Sequence, residues 1–157
     1  MNKSNSPYIV RVYATPMSFP LNFTFHTRIE ISGNDQTERY DLWAYPGLKT
    51  SSKNQGYIYK DIFPDHLGTT FSPLANTDFL EKRQSGKILY EISSSRNVLA
   101  TELYKKIQAQ AFAYPYAETY KMIMGPNCNT YTQWLLDLIP ELKVKLPWYA
   151  WGKNYKM

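Results

Sequence analysis

The chain contains a single cysteine, Cys128, and places it where a turn gives way to a helix. The preceding Gly125-Pro126-Asn127 would break a helix interior, whereas the apolar residues that follow recur at the three- and four-residue spacing of an amphipathic helix. A thiol in the first turn of a helix faces free backbone amides and the positive end of the helix dipole, and both favour the thiolate. The sequence therefore predicts a nucleophile at Cys128, against the alternative of a buried, inert thiol.

A nucleophilic thiol needs a base beside the sulfur and a polar group that orients the base. The pattern of residues 22–45 predicts a β-hairpin, with strands over 22–31 and 40–45 joined by a turn. His26 lies on the first strand, and the register sets either Asp41 or Trp43 opposite it. Asp41 shares the face of His26 in both registers, so we expect His26 to be the base and Asp41 to orient it.

Alternatives stay open for both roles. His66 is the other histidine and lies in a turn flanked by Pro and Gly, from which a loop could close over a site. Glu30 shares the face of His26 further along the strand, and Asn22 is a neutral rival, because an amide can also orient a histidine.

Oxyanion donors are expected from the Cys128 backbone amide and from one side chain near it. Asn127 and Asn129 flank the cysteine, and Gln133 projects from the next turn of the helix. The alternative for the two asparagines is helix capping and turn formation, which is favoured for Asn127.

Two tyrosines upstream of the cysteine, Tyr114 and Tyr116, could line a cleft beside the start of the Cys128 helix. They could equally pack against the helix predicted over residues 97–112. The high aromatic content, 16% with 14 Tyr and 4 Trp, has the same two interpretations. A core built from rings is favoured over a groove for sugars, peptides or acyl chains.

Periodicity predicts the remaining elements. Strands are expected over residues 8–13, 57–62 and 87–93, and helices over 76–83, over 97–112 and from Cys128 to Pro140. Ser94 and Ser95 are expected to cap the helix over 97–112, and its core stripe is Val98, Leu99, Leu103, Ile107 and Phe112. The polar face of the Cys128 helix is expected to carry Thr130, Gln133 and Asp137. Residues 142–155 are expected to pack across the domain as extended coil.

Length and composition fit one globular domain over residues 1–157, because 43% hydrophobic and 20% charged residues exclude disorder. The net charge of +5 hints at an acidic partner. The 18 Lys and Arg form no dense run, so nucleic-acid binding is not expected. One Cys excludes an internal disulfide, and two distant His give no metal-ligand spacing, so neither a metal nor a cofactor is expected.

The first seven residues are polar and no apolar segment follows them, and no run is long enough to span a membrane. We therefore expect a cytoplasmic protein, or one exported by a route that needs no signal peptide.

The motif around the cysteine, Asn127-Cys128-Asn129-Thr130 before an apolar helix, resembles the Asn-Cys-x-His-Phe segment of circularly permuted papain-like thiol proteins. These include the lecithin retinol acyltransferase group and the PPPDE desumoylating or deubiquitinating group. A closer resemblance is to an uncharacterised bacterial family with a Gly-Pro-Asn-Ser-Asn-Thr motif. The matching residues are His26, Tyr114-Pro115-Tyr116, Gly125 to Thr130, Leu146-Pro147 and Gly152-Lys153-Asn154-Tyr155. Many members of that family have Ser where this chain has Cys128, so thiol chemistry is expected of this chain rather than of the family.

The resemblance implies an α+β, permuted papain-like (NlpC-type) fold. In it an antiparallel sheet packs against the Cys-bearing helix and a second helix, and the His precedes the Cys in the chain. The implied function is a cysteine hydrolase or acyltransferase that acts on an amide, an isopeptide or an acyl ester through a Cys128–His26 dyad. Peptides, peptidoglycan stem peptides and lipid acyl esters are the substrate classes that fit. The alternative is a non-catalytic binding module that uses an aromatic cleft on the same fold.

Overall fold

A computed structural model describes residues 7–17, 24–33, 36–44, 56–60, 62–64, 71–73 and 86–156 of the chain. Within these ranges the strands are β1 (Ile9–Pro16), β2 (Phe25–Gly33), β3 (Gln36–Ala44), β4 (Gly56–Lys60), β5 (Ile62–Pro64), β6 (Phe71–Pro73) and β7 (Lys87–Ser93). The helices are α1 (Leu99–Gln110) and α2 (Cys128–Leu136), and 3-10 turns cover Ala111–Ala113 and Pro140–Leu142. Asn22, His66 and the helix predicted over residues 76–83 lie outside the described residues.

The main sheet has five antiparallel strands in the order β4-β3-β2-β1-β7, and β5 and β6 pair with each other separately. The predicted hairpin is confirmed, because β2 pairs with β3 from Gly33↔Gln36 to Ile29↔Tyr40. The segment predicted as one strand over 57–62 is divided between β4 and β5. The described part of the chain is therefore α+β, as the sequence predicts.

The two faces of the sheet differ in chemistry, since alternate residues of a strand point to opposite sides. One face packs with both helices in a single hydrophobic cluster, whose sheet residues include Val10, Val12, Ile29, Ile31, Tyr40, Leu42 and Ile58. The other parity on β2 and β3 carries polar side chains that are also buried: His26, Arg28, Glu30, Arg39 and Asp41. The alternation of the hairpin therefore places the candidate base and the candidate orienting carboxylate on the same face.

Helix α1 is shorter than predicted and is capped differently. Asn97 Oδ1 accepts a hydrogen bond from the Leu99 amide at 3.0 Å, so the predicted capping by Ser94 and Ser95 is wrong. Leu103 and Ile107 are buried, but Val98 and Phe112, at the two ends of the predicted stripe, are 70% and 61% exposed. The prediction of a buried stripe is wrong for these two residues because the regular helix covers only Leu99–Gln110.

Helix α2 begins at Cys128, as predicted, and Asn127 is its N-cap. The Asn127 side-chain oxygen accepts from the amides of Asn129 and Thr130 at 3.0 and 3.2 Å. In return, the Thr130 hydroxyl accepts from the Asn127 amide at 3.2 Å. This reciprocal capping box fixes the position of the first turn, which carries the thiol.

The polar face predicted for α2 is only partly correct. Asp137 is exposed, but Thr130 and Gln133 are each only 5% exposed. Both are buried because they bond to residues 144–152, which we call the C-terminal segment. The segment contains turns rather than continuous extended coil, and Gly152 has a left-handed φ of +88°. In the described part of the chain, no helix has the length and apolarity that a bilayer-spanning helix needs.

Candidate functional site

The thiol of Cys128 lies at the first residue of α2 and is 4% exposed. It interacts with His26 and is one of the groups that raise the pKa of that histidine. The Tyr120 hydroxyl lies 3.9 Å from the sulfur, and the Asn129 side-chain oxygen lies 3.8 Å from it. Long-range packing thus brings the lone cysteine to the histidine of β2. The next residue of that strand, Thr27, donates a hydrogen bond to the Asn129 side-chain oxygen at 2.8 Å, across a separation of 102 residues in the chain.

His26 lies between this thiol and a carboxylate. Its Nε2 atom is 2.7 Å from Asp41 Oδ1, and its side chain is 5% exposed. Burial lowers the pKa of His26, but the Asp41 carboxylate and the Cys128 thiol raise it more, to about 9. The imidazole therefore holds its proton at neutral pH, with a carboxylate on one side and a thiol on the other.

Asp41 is fully buried and contacts a second cation. Its Oδ2 atom accepts a hydrogen bond from Arg39 Nη2 at 2.7 Å. Burial raises the pKa of the Asp41 carboxyl, but His26 and Arg39 outweigh it and hold this pKa at about 2. Asp41 is therefore ionised in the folded protein, with both carboxylate oxygens committed to buried cations.

The second buried acid on this face makes a different pair. Glu30 Oε1 accepts from Arg28 Nε at 2.9 Å, and Arg28 Nη1 donates to the Thr15 hydroxyl at 3.0 Å. Glu30 is the alternative to Asp41 for orienting the histidine, and its ion pair is with Arg28. The structure therefore brings Asp41, rather than Glu30, into contact with His26.

Tyr120 is a residue at the site that the sequence does not reveal. It is 6% exposed, and its hydroxyl interacts with both the thiol and the backbone amide of Cys128. Burial is the main cause that raises the pKa of Tyr120 well above 10, so the hydroxyl keeps its proton. Among 14 tyrosines it has no distinguishing pattern, and only its position eight residues before the cysteine hints at a role.

Arg39 is a second residue that the sequence analysis missed. It precedes Asp41 by two positions and so has the same parity on β3. This shared parity could have pointed to Arg39. It did not, because the strand is predicted over residues 40–45 and so leaves Arg39 out.

Asn127 and Asn129 lie beside Cys128, as predicted, but their side-chain amides already have acceptors. Asn127 Nδ2 donates to the carbonyls of Met122 and Trp151 at 3.0 and 3.1 Å. Asn129 Nδ2 donates to the carbonyls of Phe25 and Trp151, both at 2.9 Å. Both asparagines therefore connect the start of α2 to backbone carbonyls of neighbouring segments. Their role as oxyanion donors stays a prediction.

Gln133 connects α2 to the C-terminal segment further from the thiol. Its Oε1 atom accepts from the Leu146 amide at 2.8 Å, and its Nε2 atom donates to the Val144 carbonyl at 3.1 Å. The same Nε2 atom also donates to Asp137 at 2.9 Å. These bonds account for its burial, and its predicted substrate contact also stays a prediction.

Tyr114 and Tyr116 take part in aromatic packing. Tyr114 is 4% exposed, and its ring centroid lies 5.2 Å from Tyr131 and 5.3 Å from Trp134, both on α2. Tyr116 lies 5.5 Å from Tyr114 and 5.6 Å from Tyr155. The pair thus packs onto α2 and Tyr155, in the same hydrophobic cluster as Leu103 and Ile107 of α1, and its predicted place in a substrate cleft stays a prediction.

No group of three or more His, Cys, Asp or Glu side chains that could hold a metal ion occurs among the residues that the structure describes.

Comparison with known proteins gives one match. A family model described as "Protein of unknown function (DUF3750)" matches residues 7–155. No curated protein and no solved structure matches the chain. The match covers the hairpin, both helices and the C-terminal segment, so every residue of the candidate site lies within the family's domain.

Proposed function

The chain belongs to the DUF3750 family, and for this member we propose the function of a cysteine hydrolase or acyltransferase that acts on an amide, an isopeptide or an acyl ester. The observation that carries the proposal is the buried row formed by Cys128, His26 and Asp41. The thiol interacts with His26, and His26 Nε2 lies 2.7 Å from Asp41 Oδ1. Since Nε2 faces the carboxylate, Nδ1 is the ring nitrogen left for the sulfur.

The architecture supports a permuted papain-like fold as part of the same proposal. A helix that begins with Cys128 packs against β2 and β3 of an antiparallel sheet. His26 comes from β2 and precedes the cysteine in the chain, which is the permuted order. The chemistry rests on the geometry of these residues, since a fold alone does not establish an activity.

The charges of the buried face support an ion pair between the thiol and the imidazole. Arg28 and Arg39 are balanced by Glu30 and Asp41, and all four are at most 8% exposed. A protonated His26 therefore adds one uncompensated buried positive charge. A Cys128 thiolate beside it would restore neutrality, and burial strongly favours neutral clusters.

The proposed reaction has two halves. The Cys128 thiolate attacks the substrate carbonyl, the S–C bond forms, and the C–N or C–O bond to the leaving group breaks as His26 gives that group a proton. Water or another acceptor then attacks the thioester and loses a proton to His26. The S–C bond breaks, and the thiolate–imidazolium pair is restored.

The oxyanion formed in each half needs donors at the start of α2. The Cys128 amide and the Tyr120 hydroxyl lie at this position, whereas the side-chain amides of Asn127 and Asn129 point to backbone carbonyls. Two donors next to the sulfur are sufficient for the usual stabilisation of a tetrahedral intermediate.

The test is acyl transfer from p-nitrophenyl acetate, followed by p-nitrophenol release and intact-protein mass spectrometry. Wild-type protein is expected to gain one acetyl group on Cys128, and Cys128→Ala to gain none. His26→Ala is expected to slow acetylation roughly hundredfold, because it removes the base. The matched control is His66→Ala, which changes the only other histidine of the chain. Equal losses in the two histidine variants, or acetylation of Cys128→Ala at the wild-type rate, would refute the assignment.

A second candidate is a non-catalytic binding module, and the low exposure of the thiol favours it. Cys128 is 4% exposed, so a substrate must displace neighbouring residues to reach the sulfur. In this alternative wild-type protein is not acetylated, and Cys128 reacts with iodoacetamide no faster than free cysteine does. A Cys128→Ser variant would then keep both the stability and the interactions of the wild type.

A further inference from the structure

Five large apolar side chains are exposed close to the start of α2. Met122, Ile123 and Met124 are 50%, 43% and 74% exposed, and Trp148 and Trp151 are 81% and 36% exposed. We call these five residues the apolar rim. Exposed hydrophobic residues scattered singly need no explanation, but a contiguous group of this kind marks an interaction surface.

Backbone contacts show that the two halves of the rim are neighbours. Asn127 Nδ2 donates to the carbonyls of both Met122 and Trp151, so these two backbones lie on either side of one nitrogen atom. A Cβ atom built on Gly125 would lie 3.0 Å from the Gly152 carbonyl oxygen, which shows that the residues following Met124 and Trp151 also approach closely. Met122 and Trp151 are therefore adjacent across the capping asparagine, and Trp148 lies in the turn that precedes Trp151, where the Ala150 amide donates to the Pro147 carbonyl at 3.1 Å.

The charges in the same two segments have a single sign. Residues 121–126 and 147–156 contain Lys121, Lys153 and Lys156 and no Asp or Glu. Lys121 and Lys156 are exposed, whereas Lys153 Nζ donates to the Leu146 carbonyl. The net charge of the whole chain, +5, has the same sign.

We propose that the apolar rim docks on the surface of an anionic lipid bilayer. Tryptophan and methionine side chains can insert among headgroups and upper acyl chains, while lysines at the edge bind anionic headgroups. Lysine is depleted at protein–protein interfaces relative to the rest of a protein surface, so the lysine-flanked rim fits a lipid surface better than a protein partner. The inference goes beyond the proposed function and holds whether or not Cys128 is catalytic.

The experiment is co-sedimentation of the full chain with vesicles of phosphatidylcholine containing phosphatidylserine, compared with vesicles of phosphatidylcholine alone. Wild-type protein is expected to bind the anionic vesicles, with a blue shift of tryptophan fluorescence. Replacing Met124 and Trp148 together by Ala should weaken binding tenfold or more, because it removes the two most exposed apolar groups of the rim. Replacing Lys121 and Lys156 together by Ser should weaken binding roughly thirtyfold at low salt.

The matched control is Phe112→Ala, which removes a 61% exposed ring outside the rim and should bind as the wild type does. Cys128→Ala should also bind normally, which separates failure of docking from failure of the proposed chemistry. The proposal is overturned if wild-type protein does not sediment with anionic vesicles, or if the rim variants bind as tightly as Phe112→Ala. Dimerisation that needs Met124 and Trp148, without vesicle binding, would also overturn it and assign the rim to a second copy of the chain.

Discussion

Replacement of Asp41 by Asn tests the buried network quantitatively. The carboxylate is fully buried and lies 2.7 Å from both His26 Nε2 and Arg39 Nη2. An amide of the same shape can accept from one of these cations but presents an N–H group to the other. Breaking a buried ion pair in this way costs about 3 to 5 kcal/mol. We expect Asp41→Asn to lose that much free energy of unfolding at pH 6.

The pH dependence gives a second and sharper expectation. In the wild type the pKa of His26 is raised from 6.5 to about 9, so its stabilising contribution is complete below pH 6.5 and is lost as the pH rises through 9. A rise of this size in the pKa of His26 corresponds to about 3 kcal/mol of free energy of unfolding. Without the carboxylate, burial lowers the pKa of His26 instead, so this loss between pH 6.5 and 9 should disappear. The difference in free energy of unfolding between the wild type and Asp41→Asn should therefore become smaller as the pH rises.

The assay is urea unfolding of the protein and of its Asp41→Asn variant between pH 6 and pH 9. Both carry Cys128→Ala, so that the thiol contributes no proton of its own. Glu38→Gln is the control, because it removes a carboxylate on the same strand that bonds Tyr40 and Lys60 rather than His26. Equal pH slopes for the Asp41→Asn protein and its parent, or a loss below about 1 kcal/mol at pH 6, would refute the network as described.

Two further substitutions test how the C-terminal segment holds α2. Gly152→Ala should destabilise the protein by about 1 to 3 kcal/mol in urea unfolding, because φ is +88° and a Cβ atom would lie 2.4 Å from the Asn127 side chain. Asn154→Ala, in the same turn, should change stability little. Gln133→Ala should cost about 1 to 3 kcal/mol, since the buried Leu146 amide loses its acceptor. Unchanged stability in either would contradict the bracing role of that residue.

Local pattern in the sequence was enough to predict the hairpin and the start of α2. The alternation of residues 22–45 gives the face on which His26 and Asp41 lie, since the two registers considered differ by two residues and a shift of two residues leaves each side chain on the same face. The Gly125-Pro126-Asn127 turn fixes the first residue of α2, because the cap is set by neighbouring residues alone. A family of unknown function matches the chain, while the family motif, the single domain over residues 1–157 and the papain-like relationship stay predictions.

The errors occur where distant contacts override local pattern. Thr130 and Gln133 have the polarity and spacing of a solvent-facing stripe, but they are buried against residues 144–152. Tyr120 reaches the thiol by tertiary packing that no periodicity encodes. Spacing alone places Phe112 and Val98 in the core, but both are exposed. The regular helix α1 begins after Val98 and ends before Phe112.

The contacts between the C-terminal segment and α2 also set an order in time. The carbonyls of Trp151 and Gly152 accept bonds from Asn127, Asn129 and Thr130. A growing chain reaches these carbonyls only after it has made the hairpin, α1 and the cysteine itself. While the nascent chain still lacks residues 151 and 152, the start of α2 lacks three of the hydrogen bonds that hold it in place. The contacts that fix the first turn of α2, and with it the position of Cys128 beside His26, are therefore complete only after residues 151 and 152 have been made.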